Sequence, residues 1–268
     1  KREVRLNGAD AKSSADLGEI VQMIWLTPAM DRIFTESAGG RRRFLDRLVL
    51  GFDPAHARAA TRYETAMRER ARLLKYGPRD PAWLDGLEQQ MAEAGAAIIA
   101  ARALTVDRLN QALAERGAAG AFPAASLTLT GEMPQTAQAL RDALAQGRIR
   151  DAETARTGTG PHLADLAVRH TAKRADARDC STGEQKALLI SIMLADAWEL
   201  ARARGGMAPL LLLDEIAAHL DGTRRADMFA AQSAQDATAW MTGTDLSLFT
   251  GADAEIFLVE NGQFTRQD

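Results

Sequence analysis

The sequence predicts an α/β fold with a helical lobe inserted into it. Three observations carry that prediction. Apolar runs at residues 20–26 and 210–213 have the length of buried strands rather than of helices. Between Arg41 and Glu115 the apolar residues recur at helical spacing. From Ser126 onward, strand and helix patterns alternate, as they do in layered α/β domains.

The elements follow in chain order. Val4 to Gly8 alternates apolar and polar residues and ends in the turn pair Asn7-Gly8. Residues 20–26 read as a buried strand that stops before Pro28. Phe44, Leu45, Leu48 and Val49 line one face of a helix over 41–50. A second helix over 54–75 turns Arg and Glu outward, and Gly77, Pro78 and Pro81 break it. Residues 83–115 form one long Ala-rich helix or two. Leu127 and Leu129 alternate with Ser126, Thr128 and Thr130, a strand pattern. A helix over 136–146 stops at Gly147, and a glycine-rich turn at 158–161 leads to a strand at 165–168. A mostly basic stretch, 173–179, precedes a helix over 182–204. The strand at 210–213, a helix over 224–234 and a short strand at Trp240 come next. A hairpin closes the chain: 256–259, Asn261-Gly262, then Phe264.

Composition narrows the function. The 268 residues are 46% apolar and 26% charged, with a net charge of −3, so bulk charge demands no nucleic-acid partner. The single cysteine, Cys180, excludes a disulfide framework and fits a reducing, cytoplasmic setting. Four scattered histidines make a His-cluster metal site a poor reading. No apolar stretch approaches the about twenty residues a membrane helix needs, so no membrane association is expected.

Two motifs carry chemistry. Leu210 to Leu213 runs straight into Asp214-Glu215. A continuous apolar run suits a central parallel strand, and carboxylates at its C-terminal end stand where open α/β sheets place their ligands. In P-loop NTPases this is the Walker B arrangement, with the first carboxylate on magnesium and the next on the attacking water. A strand followed by an acidic helix cap would explain the same residues. Just upstream, Ser181-Thr182-Gly183-Glu184-Gln185-Lys186 opens a helix, with Ser181 and Glu184 at capping-box spacing. A helix N-terminus with free amides and a serine hydroxyl suits phosphate, and Gly183 permits close approach.

At this point the sequence resembles a family. Ser181 to Gln185 looks like the ABC signature motif, Asp214-Glu215 like Walker B, and His219-Leu220-Asp221 like the D-loop. The Cys-Ser-Thr-Gly-Glu-Gln-Lys-Ala-Leu-Leu form is similar to that of the RecF family of bacterial recombination proteins. Thr27-Pro28 through Gly39-Gly40-Arg41-Arg42-Arg43-Phe44-Leu45-Asp46 resembles a second family segment. There Ala29 replaces an acidic residue and Ala38 a proline. Gly160-Pro161-His162 with Asp165 resembles a third, with Leu163 in place of Arg.

The resemblance implies an ABC-type P-loop NTPase head whose C-terminal half is present, with an inserted helical lobe. Residues 1–30 would be a remnant of the N-terminal part of the head, 31–120 the lobe, and 121–268 the C-terminal part. Ser181, Gly183, Glu184, Gln185 and Asp221 would bind ATP, Asp214 would hold Mg2+, and Glu215 would be catalytic. In ABC dimers the signature motif meets the partner subunit's nucleotide, so an ATP-dependent homodimer is implied. The family further implies double-stranded DNA near gaps, a RecR-type mediator, and help in loading recombinase during DNA repair. Candidate DNA contacts are Arg41, Arg42, Arg43, Arg169, Lys173 and Arg174, which would neutralise phosphates. The basic helix over 58–75, with Glu64 and Glu69 interleaved, reads better as a solvated face.

The sequence contains no G-x-x-x-x-G-K-[S/T] phosphate loop. The nearest match, Gly8 to Ser14 with Lys12-Ser13, has Ala11 where glycine is needed. The expectation is therefore an N-terminally truncated chain that binds ATP poorly and hydrolyses essentially none alone. Thr242-Gly243-Thr244-Asp245 falls where ABC proteins carry a switch loop, and Thr242 or Asp245 would sense phosphate or simply form a turn. Gln22 is a Q-loop candidate or a plain strand residue. Two alternatives stay open: another ABC-type ATPase head, or a non-hydrolysing DNA-binding fragment.

Overall fold

A computed structural model of the chain describes residues 5–6, 8–10, 20–77, 80–116, 121–216, 220–233 and 237–267. It opens with a hairpin of β1 (Arg5–Leu6) and β2 (Ala9–Asp10), with Gly8 in left-handed backbone at φ +85°. Asn7 of the expected turn lies outside the described residues. Then come β3 (Met23–Leu26), α1 (Ala38–Phe52), α2 (His56–Tyr76) and α3 (Pro81–Arg116). Next are β4 (Ala125–Thr130), α4 (Ala137–Gln146), α5 (Arg148–Thr154), β5 (Asp165–His170) and β6 (Ala175–Asp176). The chain continues through α6 (Thr182–Ala203), β7 (Leu210–Leu213), α7 (Gly222–Ser233) and β8 (Ala239–Met241). The hairpin β9 (Ile256–Glu260) and β10 (Gln263–Gln267) turns at Asn261 and Gly262, both at positive φ. Among the described residues no helix is long and apolar enough to cross a membrane.

Two three-stranded sheets organise the molecule. In one, β7 is central and parallel to both β3 and β8, and Leu26 stands opposite Leu213. In the other, β5 is central and antiparallel to β4 and β6. One face of the parallel sheet, formed by Ile24, Leu26, Leu211 and Leu213, packs into the core that α6 supplies with Leu188, Leu189 and Ile192. The other face is apolar and open. Met23 and Trp25 on β3 are about 40% exposed (44% and 39%), Leu210 and Leu212 are half-buried, and Trp240 on β8 is 66% exposed.

That open face corrects the first strand. The run at 20–26 is not buried throughout: only Met23–Leu26 is strand, and Ile20 and Val21 lie exposed before it. An apolar run reads the same whether both faces are covered or one waits for a cover.

The residues read as one long helix or two are one, α3, about 54 Å long at 1.5 Å per residue. It joins two cores. Its C-terminal half gives Val106, Leu109 and Leu113 to the sheet core. Its N-terminal half gives Leu84, Leu87, Met91 and Ile98 to a second core, shared with Tyr63 and Leu73 of α2 and Leu140 and Leu144 of α4. Gly147 ends α4 as its spacing predicts, serving as the C-cap in right-handed helical geometry (φ −77°, ψ −8°), and α5 follows at once from Arg148.

Not every charge on α2 faces water. Arg70 is fully buried and hydrogen-bonded through every nitrogen. It donates to Glu88 Oε1 (2.9 Å), Asp151 Oδ2 (2.6 Å) and the Leu144 carbonyl (2.7 Å), tying α2 to α3, α4 and α5. A second lock centres on Asp46 of α1. It accepts from Arg102 at 2.7 and 2.8 Å and pairs with His56 Nε2 at 2.8 Å.

Candidate functional site

The carboxylates stand at the C-terminal end of the central strand because the parallel ladder delivers them there. The Asp214 amide donates to the Leu26 carbonyl (2.9 Å), and the Thr242 amide donates to the Leu213 carbonyl (3.0 Å). These bonds carry both interstrand ladders one step past β7. Asp214, Glu215 and Thr242 are all exposed. Glu215 adopts left-handed backbone at φ +53°, which bends the chain sharply off the sheet.

Thr242 joins the two carboxylate residues. Its hydroxyl donates to Asp214 Oδ1 (2.5 Å), and the same oxygen accepts from the Glu215 amide (3.2 Å). Asp245 turns away to cap the following turn, accepting from the Ser247 amide at 2.8 Å. Asp214 suits a hard divalent cation: it is an exposed oxygen donor whose Oδ2 has no partner among the described residues. Among the described residues no group of three or more His, Cys, Asp and Glu gathers around it. A magnesium ion there would complete its shell with water and phosphate oxygens, its usual preference.

The helix of the second motif begins as its spacing predicts. The Ser181 amide (3.0 Å) and hydroxyl (2.9 Å) both donate to Glu184 Oε2, within a capping box. Lys173, reaching from the turn after β5, also pairs with Glu184. Lys173 and then the Ser181 bonds hold the Glu184 carboxyl down at about 2. Gln185 points inward and donates to the Cys180 carbonyl (2.9 Å), so it secures the loop rather than facing out. A Cβ added at Gly183 would meet no atom of the chain. Nothing internal demands glycine there, and Ser181, Thr182 and Gly183 form an exposed platform. Lys186, one turn in, is buried against Asp31 (3.1 Å), just past the end of β3. The start of α6 therefore lies at the same end of the parallel sheet as Asp214.

Asp221 caps α7, accepting from the Arg224 amide at 2.9 Å. His219, its partner in the expected D-loop, lies outside the described residues, as do Lys12 and Ser13. Gln22 sits at the N-terminal end of β3, where its carbonyl accepts from the Leu210 amide (2.9 Å). Asp214 follows the far end of the parallel neighbour, so Gln22 is about 16 Å of strand away and is not part of the site.

The basic candidates separate on inspection. Arg41 makes a two-pronged ion pair with Asp165 (2.8 and 2.7 Å), fastening α1 to β5. Arg42 donates to the Ala164 carbonyl (2.7 Å). Arg43 is exposed on the outer face. Arg169 leans on the Arg174 carbonyl (2.7 Å) and on Asp176. Arg174 is exposed, in left-handed backbone at φ +53°. Arg41, Arg42 and Lys173 thus have internal partners that sequence spacing did not reveal.

The Gly160-Pro161-His162 segment proves to be an internal clasp. His162 Nε2 donates to the Thr157 carbonyl (2.9 Å), a bond that requires the proton on Nε2. Nδ1 then accepts from the Tyr63 hydroxyl of α2 (2.8 Å). Burial pushes the His162 pKa down, which keeps this neutral form. Gly160, at φ +131°, lies so close to Tyr63 that an added Cβ would fall 2.1 Å from its hydroxyl.

No family model matches the chain. Among curated proteins it is 48% identical to the DNA replication and repair protein RecF of Mesorhizobium japonicum over 272 residues, covering 97% of this chain and 72% of that protein. It is equally identical, at 48%, to RecF of Agrobacterium fabrum over 274 residues, covering 98% and 73%. Two solved structures share its fold, both of the recombination mediator RecF of the RecFOR pathway. The complex with ATPrS gives a TM-score of 0.81 at 18% identity, and the complex with ATP gives 0.80 at 19%. Each covers 99% of this chain and 73% of its own.

Proposed function

The chain belongs to the RecF family, and from that premise we propose that it acts in DNA replication and repair as part of an ATPase head. The observation that carries this reading is the end of the parallel sheet. There Asp214 and Glu215 leave the central strand beside Thr242, and the exposed start of α6 lies at the same end. In this reading Asp214 holds Mg2+, which when bound neutralises phosphate charge. Glu215 orients the attacking water. Asp221 stands near the nucleotide, and Ser181 and Gly183 present a hydroxyl and amides to the nucleotide of a second copy. Glu184 and Gln185 shape that platform from behind. The function is an ATP-dependent homodimer.

A P-loop must join these residues for ATP to bind, and none occurs among the 268 residues. We assign its seat to the open apolar face of Met23, Trp25, Leu210, Leu212 and Trp240, which borders the carboxylates. A strand and helix carrying the loop would cover that face. The remaining proposals follow the family: the dimer holds double-stranded DNA at gaps and works with a RecR-type mediator to load recombinase. Arg43, Arg169, Lys173 and Arg174 are the exposed candidates for DNA phosphates, and Arg41 and Arg42 support them from within.

Glu215→Gln in the P-loop-bearing protein tests the reading. Loss of the water-orienting carboxylate lowers Mg2+-dependent ATP turnover by about 100-fold or more, while ATP binding persists. Turnover at the wild-type rate would remove Glu215 from the reaction.

A further inference from the structure

We propose that Thr242 is the positioning residue of the site, a strap that sets the direction of both carboxylates through one hydroxyl; this rests on the ATPase reading above. A threonine hydroxyl has one proton and two lone pairs. Here the proton goes to Asp214 Oδ1 (2.5 Å) and a lone pair receives the Glu215 amide (3.2 Å). The strap starts from a fixed base, because the Thr242 backbone is bound to Leu213 across the parallel ladder. The loop beyond it is pinned too: a Cβ at Gly243 would fall 2.9 Å from the Phe249 ring.

The strap has two consequences. Oδ1 of Asp214 is occupied, so Oδ2 is the oxygen that faces an incoming cation. Glu215 sits in left-handed backbone, which a residue with a Cβ adopts only when its surroundings hold it there. The hydrogen bond that the Glu215 amide donates to the Thr242 hydroxyl is such a hold, and it fixes where the Glu215 side chain leaves the chain. Because all three residues are exposed, a bond between them adds little to folding stability. Its effect is on geometry. Asp245, the other polar candidate in this loop, is committed to Ser247 and cannot replace it.

The chemistry demands a side chain that donates and accepts from one atom. Thr242→Val keeps the shape and loses both bonds; Thr242→Ser keeps both. In the 268-residue chain, proton exchange at the Glu215 amide, followed by NMR, accelerates by about 10-fold in Thr242→Val and stays at the wild-type rate in Thr242→Ser. In the P-loop-bearing protein, kcat for ATP falls by about 10- to 100-fold in Thr242→Val with KM for ATP little changed, and Thr242→Ser restores it. Wild-type turnover in Thr242→Val, with unchanged Glu215 exchange, overturns the strap and leaves the ATPase reading standing. A wild-type protein that hydrolyses no ATP overturns that reading instead, and with it the catalytic role given to Thr242.

Discussion

Glu184 shows how a single side chain serves two structures at once. It closes the capping box of α6 and receives Lys173 from the neighbouring sheet. Its carboxyl is held at about 2, against an ordinary 4.5, by Lys173 first and Ser181 second. A depressed carboxyl pKa contributes stability that is complete above about pH 4.5 and is lost as the pH falls toward 2. An NMR titration of Glu184 should therefore show a midpoint near 2. Lys173→Gln should move that midpoint up toward 4.5, and a midpoint unmoved by that change would remove the ion pair as its cause. The pairing was invisible in the sequence, where Lys173 reads as one of several free cations. Eleven residues of chain separate it from Glu184, and only the turn after β5 brings them together. Gly160 is a similar case. Its need for a bare backbone comes from Tyr63, a residue of α2, and no local pattern announces it.

At the scale of elements, the fold stands on two kinds of joint. Apolar joints were legible: the spacing of Phe44, Leu45, Leu48 and Val49 places α1 against the sheet core, where all four are buried. The leucine run of β7 likewise gives the central parallel strand. Buried ionic joints were not legible, because a charged residue in a helical pattern reads as a solvated face. Arg70 is the chief example, linking α2 to α3, α4 and α5 with no exposure to water. Arg70→Met leaves Glu88 and Asp151 buried without this partner and should destabilise the protein by about 3–5 kcal/mol. Denaturant unfolding monitored by circular dichroism measures this; a loss below 1 kcal/mol would mean that Arg148, which also pairs with Glu88, suffices alone. The first strand was misjudged for a different reason. Whether Met23 and Trp25 are covered depends on what else packs on the sheet, and periodicity within seven residues carries no such information.

Across the whole molecule, the chain carries Asp214, Glu215 and the exposed start of α6 at one end of a sheet whose other face is open. The long helix α3 joins the sheet core to the second core, so both cores share one element. The proposal of an ATPase that works in pairs comes from the family, and the placement of Ser181 and Gly183 leaves room for it. They are exposed, the start of their helix is capped, and no neighbour in the chain crowds Gly183. Order along the chain made the motifs legible, but the strap by Thr242 and the inward turn of Gln185 are products of the fold. The most direct test of the pairing is sedimentation of the P-loop-bearing protein with and without ATP, for the wild type and for Ser181→Arg. The account predicts that ATP converts the wild type to a dimer and leaves Ser181→Arg a monomer. A Ser181→Arg protein that still dimerises with ATP as the wild type does would contradict it.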